Sequence, residues 1–244
     1  MKSVVVFKWA IDPRDIRVNA DGSVDWSAVS PWVGDDDYLA VQVACSASGQ
    51  EGEVTGLTLA GGDVAFAAAR GAQRTVAIEG LPATADAMTV AKALAEAIHS
   101  FGDVDVVVIG DSAWEPSVPV MLGGLLGWTT VMAVDEAKFE GGKLHVTRRF
   151  GTGTQELCVS GPIVLGVAAK REEENKPGMR AVITARKKPV TTIQADELMK
   201  ESVPAFTLHS THLPEATPSR LFDGEDPDGA VSQLVQALQA DGVF

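Results

Sequence analysis

Val104-Asp105-Val106-Val107-Val108-Ile109-Gly110, followed by Asp111, Ser112 and Ala113, is the stretch that decides the fold. Its apolar residues run on without alternating, which requires burial on both faces, and it ends on a glycine before a polar turn. That is the pattern of a strand inside a parallel sheet. Five further runs repeat it, at Val4–Trp9, Val54–Ala60, Thr75–Ile78, Thr129–Val134 and Pro162–Ala169. Between them, Asp36–Ser48, Asp63–Gly71, Thr84–Phe101 and Ser117–Gly127 carry apolar residues at three- and four-residue spacing, most of them rich in alanine, as covering helices do. Strands alternating with helices in this way predict an α/β fold with an open, largely parallel sheet and covering helices.

Two segments break the alternation. After Lys138 the pair Gly141-Gly142 separates β-rich stretches, and Leu144–Phe150 and Thr154–Val159 flank Gly151-Thr152-Gly153, which predicts an antiparallel excursion of two hairpins. Beyond Ala169 the chain is charged from Lys170 to Lys176, turns at Pro177-Gly178 and reaches the basic cluster Ala185-Arg186-Lys187-Lys188-Pro189. Glu201 to Asp228 is rich in Pro, Ser, Thr and Asp with little periodicity, and is expected to be an extended arm lying over another surface. An amphipathic helix, Gly229–Ala240, closes the arm with Val231, Leu234, Val235 and Leu238 on one face. The expected division is residues 1–190 as an α/β domain, with a distinct loop at 171–188, and residues 191–244 as arm and helix.

With 33 Asp and Glu against 20 Lys and Arg, the formal net charge is −13. That balance opposes nucleic acid and anionic lipid as ligands and favours a small molecule or a protein partner. Cys45 and Cys158 lie far apart with no metal-ligand spacing, and read as free core thiols in a reduced, cytoplasmic compartment. The opening apolar run Val4–Phe7 is too short for a signal-peptide core or a membrane span. Of the four histidines, His99, His145, His209 and His212, only the last two are close, and their polar setting makes them surface residues rather than a metal pair. The sequence contains no G-x-S-x-G elbow, no phosphate loop with its terminal Lys, and no G-x-G-x-x-G after the first strand, so no catalytic residue is assigned. Gly61-Gly62 and Gly123-Gly124 are explained equally well by tight helix–strand packing.

Geometry then points to the crevice beyond the carboxyl ends of the strands, where helix N-termini present unpaired N–H groups. Three such ends are readable, at Lys8–Asp12, Ala60–Asp63 and Gly110–Pro119, the last bearing Asp111, Ser112, Glu115 and Ser117 before a helix start. Ordinary helix capping by Asp and Ser accounts for the same residues, and the residues alone leave both readings open.

The residues also carry a resemblance. Val6-Phe7-Lys8-Trp9-Ala10-Ile11-Asp12 with Ile16-Arg17-Val18, the Gly34–Ala44 stretch, the strand end Val106–Ala113, and Asn175-Lys176-Pro177 leading to Ala185-Arg186-Lys187-Lys188 occur in one order over nearly the whole chain. In that order they resemble the beta subunit of electron-transfer flavoproteins, a family that includes the FixA-type subunits. Thr217-Pro218-Ser219-Arg220 and the closing helix are similar to the family's C-terminal arm, which embraces the alpha subunit. The resemblance implies an adenine-nucleotide alpha-hydrolase-like fold and a heterodimer in which the alpha subunit holds most of the FAD while the beta subunit covers part of it. It implies an electron carrier rather than an enzyme, taking electrons from an acyl-CoA-type or related dehydrogenase through a recognition loop at 171–188. In many members the beta subunit also encloses AMP, and electron-bifurcating relatives hold a second FAD there. The matching cofactor positions are Val6 and Lys8 at the first strand end, Gly34, Asp35, Asp36 and Asp37 at the next helix start, Ala60 after the second strand, and Gly110, Asp111, Ser112, Ala113, Ser117 and Val120 in the loop after the fourth.

Departures from the family pattern bear on function. Pro119-Val120 stands where the family loop carries a Gln-Thr or Gln-Val pair that reads the nucleotide, and a proline has no N–H to offer. The helix after Gly61 is about a turn short, Gly34 replaces the usual Asn, and Asp35, Asp36 and Asp37 set negative charge against any phosphate. These changes leave AMP open as a ligand of the crevice and weigh more heavily against a second FAD. In the recognition loop Asn175-Lys176-Pro177-Gly178 leads directly to Met179 and Arg180. Met179 is expected to anchor on a dehydrogenase, its flexible thioether suiting a groove, with a buried methionine under a loop as the alternative. Arg180, Arg186, Lys187, Lys188 and Arg220 are expected to face a partner, with solvated charge as the alternative. Trp9, Trp26, Trp32 and Trp114 are read as packing residues. Two rival functions are a stand-alone, universal-stress-like nucleotide-binding module and an adenine-binding hydrolase or ligase of related fold. The missing phosphate loop argues against both, and the long C-terminal arm against the first.

Overall fold

The structure is a computed structural model that describes residues 1–11, 16–25, 31–59, 62–81, 85–110, 117–168, 176–199 and 219–243. In chain order the strands are β1 (Lys2–Phe7), β2 (Trp9–Ile11), β3 (Arg17–Val18), β4 (Val24–Asp25), β5 (Pro31–Val33), β6 (Glu53–Leu59), β7 (Arg74–Glu79), β8 (Val106–Gly110), β9 (Thr129–Glu140), β10 (Lys143–Phe150), β11 (Gly153–Val159), β12 (Ile163–Val167) and β13 (Val190–Gln194). The helices are α1 (Asp35–Ser48), α2 (Ala87–Ser100), α3 (Ser117–Leu126), α4 (Met179–Ala185), α5 (Ala195–Leu198) and α6 (Pro227–Ala240).

Among the described residues nine strands form one sheet in the order β11-β10-β9-β12-β8-β1-β6-β7-β13. Every pairing from β9 to β13 is parallel, and β10 and β11 complete it as an antiparallel meander. β1 lies near the middle, with Val5 between Val108 on one side and Gly56 on the other. Successive side chains of a strand point to opposite faces. Val5, Phe7, Val106 and Val108 therefore pack under α1 with Ala40, Val41 and Ala44. Val4, Val6, Val107 and Ile109 pack under α2 and α3 with Leu94, Ile98 and Leu122. The unbroken apolar runs in the sequence are the price of having helices on both sides.

The structure departs from the sequence expectations at several points. β1 stops at Phe7, one residue short of Lys8, and Trp9–Ile11 instead pairs antiparallel with β5. The helix expected at Asp63–Gly71 is a string of turns ending in a single 3-10 turn, Ala68–Arg70, stopped by Gly71 at φ 133°. β9 runs through to Glu140 without a break, and Gly141-Gly142 alone makes the turn into β10. Within the expected recognition loop, residues 179–185 form α4, while residues 169–175 lie outside the described residues. β13 extends the sheet beyond residue 190, the boundary expected between domain and arm. Cys45 is half-buried and Cys158 is exposed on the edge strand β11, so neither is the fully enclosed core thiol expected.

The chain divides into two compact units, residues 1–17 with 25–209, and residues 18–24 with 210–244. In the second, the turn at Asn19–Ser23 is closed by the Asn19 N–H on the Ser23 carbonyl at 2.8 Å. α6 starts at a capping Asp226, whose side chain accepts the Gly229 N–H, and it contains no buried residue. The arm expected from Glu201 lies outside the described residues as far as Pro218.

Leu94 is fully enclosed between α2 and the sheet. Leu94→Ala should lower the unfolding free energy by about 2–5 kcal/mol, measured by urea denaturation, with little change in slope.

Candidate functional site

The carboxyl ends of β1 and β8 meet the first turn of α1. Lys8, the residue after β1, is 6% exposed, and so is Asp37 in that turn. The Lys8 N–H donates to Asp37 Oδ2 at 3.4 Å. Gly110, the last residue of β8, allows the approach: a Cβ there would sit 3.0 Å from Asp36 Cβ and 3.1 Å from Asp37 Oδ1. Gly34 caps α1 without a side-chain hydrogen bond, so Asp36 and Asp37 supply the negative charge that a helix N-terminus favours. Burial pushes the Asp37 carboxyl up to about 7, against the pull of the Lys8 charge and N–H, while the Asp36 charge adds to the rise. Near neutral pH Asp37 is thus partly protonated, and its charge is weaker than three adjacent aspartates in sequence imply.

Beside this joint is an aromatic cluster that sequence reasoning missed. Phe7 and Phe66 have ring centroids 5.3 Å apart, and Tyr38 meets Phe66 edge-on at 5.1 Å. The Arg70 guanidinium lies 4.0 Å from the Phe66 centroid and 4.7 Å from that of Tyr38, and donates from Nη1 to the Phe66 carbonyl at 3.0 Å. Trp9 meets Phe66 edge-on at 6.4 Å and covers Gly62 so closely that a Cβ there would fall 1.8 Å from its ring. Its Nε1–H is buried without a hydrogen-bond partner. The chain's one tyrosine, placed between three aspartates and a largely aliphatic run at the start of a helix, was the signal available in the sequence.

The expected cofactor positions divide in three. Lys8, Gly34, Asp36, Asp37 and Gly110 come together where β1 and β8 end against the first turn of α1. Val6 does not contribute its side chain, which is fully buried in the core under α2 and α3, because strand alternation turns it there. Ser117 opens α3, and Val120 faces outward on that helix, 54% exposed, while Val118 and Leu122 fill the core. Ala60, Asp111, Ser112 and Ala113, and the side chain of Asp35, lie outside what is described. At the described part of the crevice the strand-end N–H of Lys8 is taken by the Asp37 side chain.

A second surface is built on α4. Met179 is 80% exposed and Ile183, one turn on, is 55% exposed, which overturns the reading of a methionine buried under a loop. Ile183 was not singled out in the sequence, although its spacing from Met179 is helical. Ala185 is the helix's one buried residue and packs on Ala65 and Ala68. Arg180, Arg186 and Lys187 are exposed. Lys188 is different: it is half-buried, and its Nζ donates to the carbonyls of Ala68 at 2.9 Å and Ala72 at 2.7 Å. Arg220 pairs with Asp241 Oδ1 at 3.2 Å within the C-terminal unit, an exposed contact that contributes little to stability. Among the described residues no group of His, Cys, Asp or Glu could hold a metal ion, and no helix is long and apolar enough to cross a membrane.

The raised Asp37 carboxyl makes stability depend on pH in a definite direction. Below about pH 4 both folded and unfolded chains hold its proton; between there and about 7 only the folded chain does, so stability falls as pH rises, and above 7 the full cost is present. Asp37→Asn removes this component. The variant's advantage in unfolding free energy should grow between pH 5 and pH 8 by on the order of a few kcal/mol in urea titrations, and a difference that stays flat contradicts the assignment.

The fold and these two surfaces lie largely within a recognisable unit: residues 37–198, more than half of the chain, match the family model of the electron transfer flavoprotein domain. The match runs from the buried Asp37 of α1 to the last residue of α5 and includes all of α4. This chain belongs to the electron transfer flavoprotein family.

Proposed function

We propose that the chain is the beta-type, FixA-like subunit of a cytoplasmic heterodimeric electron-transfer flavoprotein, covering FAD held mainly by an alpha subunit and docking a dehydrogenase of the acyl-CoA type through α4. One observation carries the reading. In a chain of net charge −13, Lys176 to Lys188 holds five cations and no acid, and α4 in that segment keeps Met179 and Ile183 in solvent. An apolar pair with a basic rim suits an apolar groove with an acidic rim, the charges steering the approach and the apolar pair fixing the pose. α6 supports subunit pairing, since Val231, Leu234 and Val235 are exposed on a helix with no buried residue.

Bound FAD would supply the one- and two-electron chemistry. This chain's share is to cover, exclude water and steer, so it is an electron carrier's subunit and not an enzyme in its own right. AMP, if held in the strand-end crevice, would take donors other than the Lys8 N–H, which the Asp37 side chain already engages. Replacing Met179 and Ile183 by Ala should lower kcat/KM for reduction by the cognate dehydrogenase by at least about tenfold, with flavin content unchanged. An unaltered rate, or loss of flavin instead of rate, contradicts docking as the role of α4.

A further inference from the structure

Three adjacent cations, Arg186, Lys187 and Lys188, read alike in sequence, but the fold separates them. Arg186 and Lys187 face solvent, whereas Lys188 turns inward onto two carbonyls contributed by a segment more than a hundred residues away. Ala68 opens the 3-10 turn Ala68–Arg70 and Ala72 follows the Gly71 that stops it, so the two carbonyls bracket a turn too short to supply donors to its own last carbonyls, and an ammonium is favoured there.

α4 needs such an anchor. It has seven residues, well below the length at which a helix holds itself in water, and it buries only Ala185. Three further fixed points lie at its C-terminal end: Ala185 against Ala65 and Ala68, the Pro189 carbonyl accepting the Thr75 N–H at 3.0 Å, and β13 running beside β7. Met179, the most exposed residue of the helix, is at the opposite end from these attachments.

We propose that Lys188 is a positioning residue: by clamping the joint between α4 and β13 onto the Ala68–Ala72 turn, it sets the direction in which Met179 and Ile183 are presented to an electron-donating protein. It is not one of the steering charges. The proposal rests on the docking role argued above and adds a residue that acts without touching the partner.

The clamp and the docking role can be tested apart. Amide hydrogen exchange on the full-length protein, with its subunit partner where one is bound, reads the clamp alone. Lys188→Met, which keeps the length of the side chain and removes its donors, should speed exchange of the Val182, Arg186 and Lys187 amides at least about tenfold. Exchange in β1 and β8 should stay unchanged. Lys188→Arg should restore most of the protection, and Met179→Ala should leave it intact. Reduction kinetics of Lys188→Met should show a raised KM for the carrier with kcat nearly retained. Should the Met variant fail to fold, Lys188→Gln serves with a smaller expected factor of about threefold. Unaltered α4 exchange in these variants overturns the proposal, and so does an acceleration shared equally by β1 and β8, which would mark Lys188 as a general stability residue. If instead α4 loosens but neither Met179→Ala nor Lys188→Met alters reduction, the docking role falls while the clamp itself stands.

Discussion

Burial of β1 and β8 on both faces is the constraint on which the rest of the molecule depends. Two adjacent parallel strands that are wholly apolar from Val4 to Phe7 and from Val106 to Ile109 must be covered twice, by α1 on one side and by α2 and α3 on the other. That double cover brings the first turn of α1 down onto the ends of both strands, and Gly110 lets it come close enough for Asp37 to be enclosed. The buried carboxyl beside Lys8 is thus a consequence of packing, not of a separately built polar site.

Charge is partitioned just as unevenly. An acidic chain gathers five cations and no acid between Lys176 and Lys188, where the sheet ends and β13 forms its edge. A local positive patch on a negatively charged body gives a directional field, which acts on the rate and orientation of encounters more than on affinity. Within the patch one ammonium is diverted to internal carbonyls, so under the proposed docking role holding the helix and steering a partner would fall to different residues of the same cluster.

How much of this was legible in the sequence follows from where the side chains point. The central strands could be read because two-sided burial excludes polar residues from Val106 to Ile109 and from Val4 to Phe7. β13 could not, because Val190-Thr191-Thr192-Ile193-Gln194 lies at an edge and is mostly exposed, so it shows neither an unbroken apolar run nor a clean alternation. α4 escaped notice for a similar reason: its large apolar residues face outward and its only buried one is an alanine. The crevice was legible by position, since strand ends and helix starts mark it, but Asp36 and Asp37 are identical letters and only the packing of α1 against Gly110 makes Asp37 the more deeply buried of the two. Lys188 is the extreme case, because its partners stand 116 and 120 residues away and nothing local distinguishes it from its neighbours.

We propose that this family member works as half of a flavin-bearing pair. The most direct measurement is the sedimentation mass and visible absorption of the full-length chain purified together with a flavoprotein alpha subunit of the same organism. The account predicts a stable complex of one copy of each chain, yellow with bound FAD. A colourless 25.6 kDa chain that sediments alone under the same conditions would contradict it.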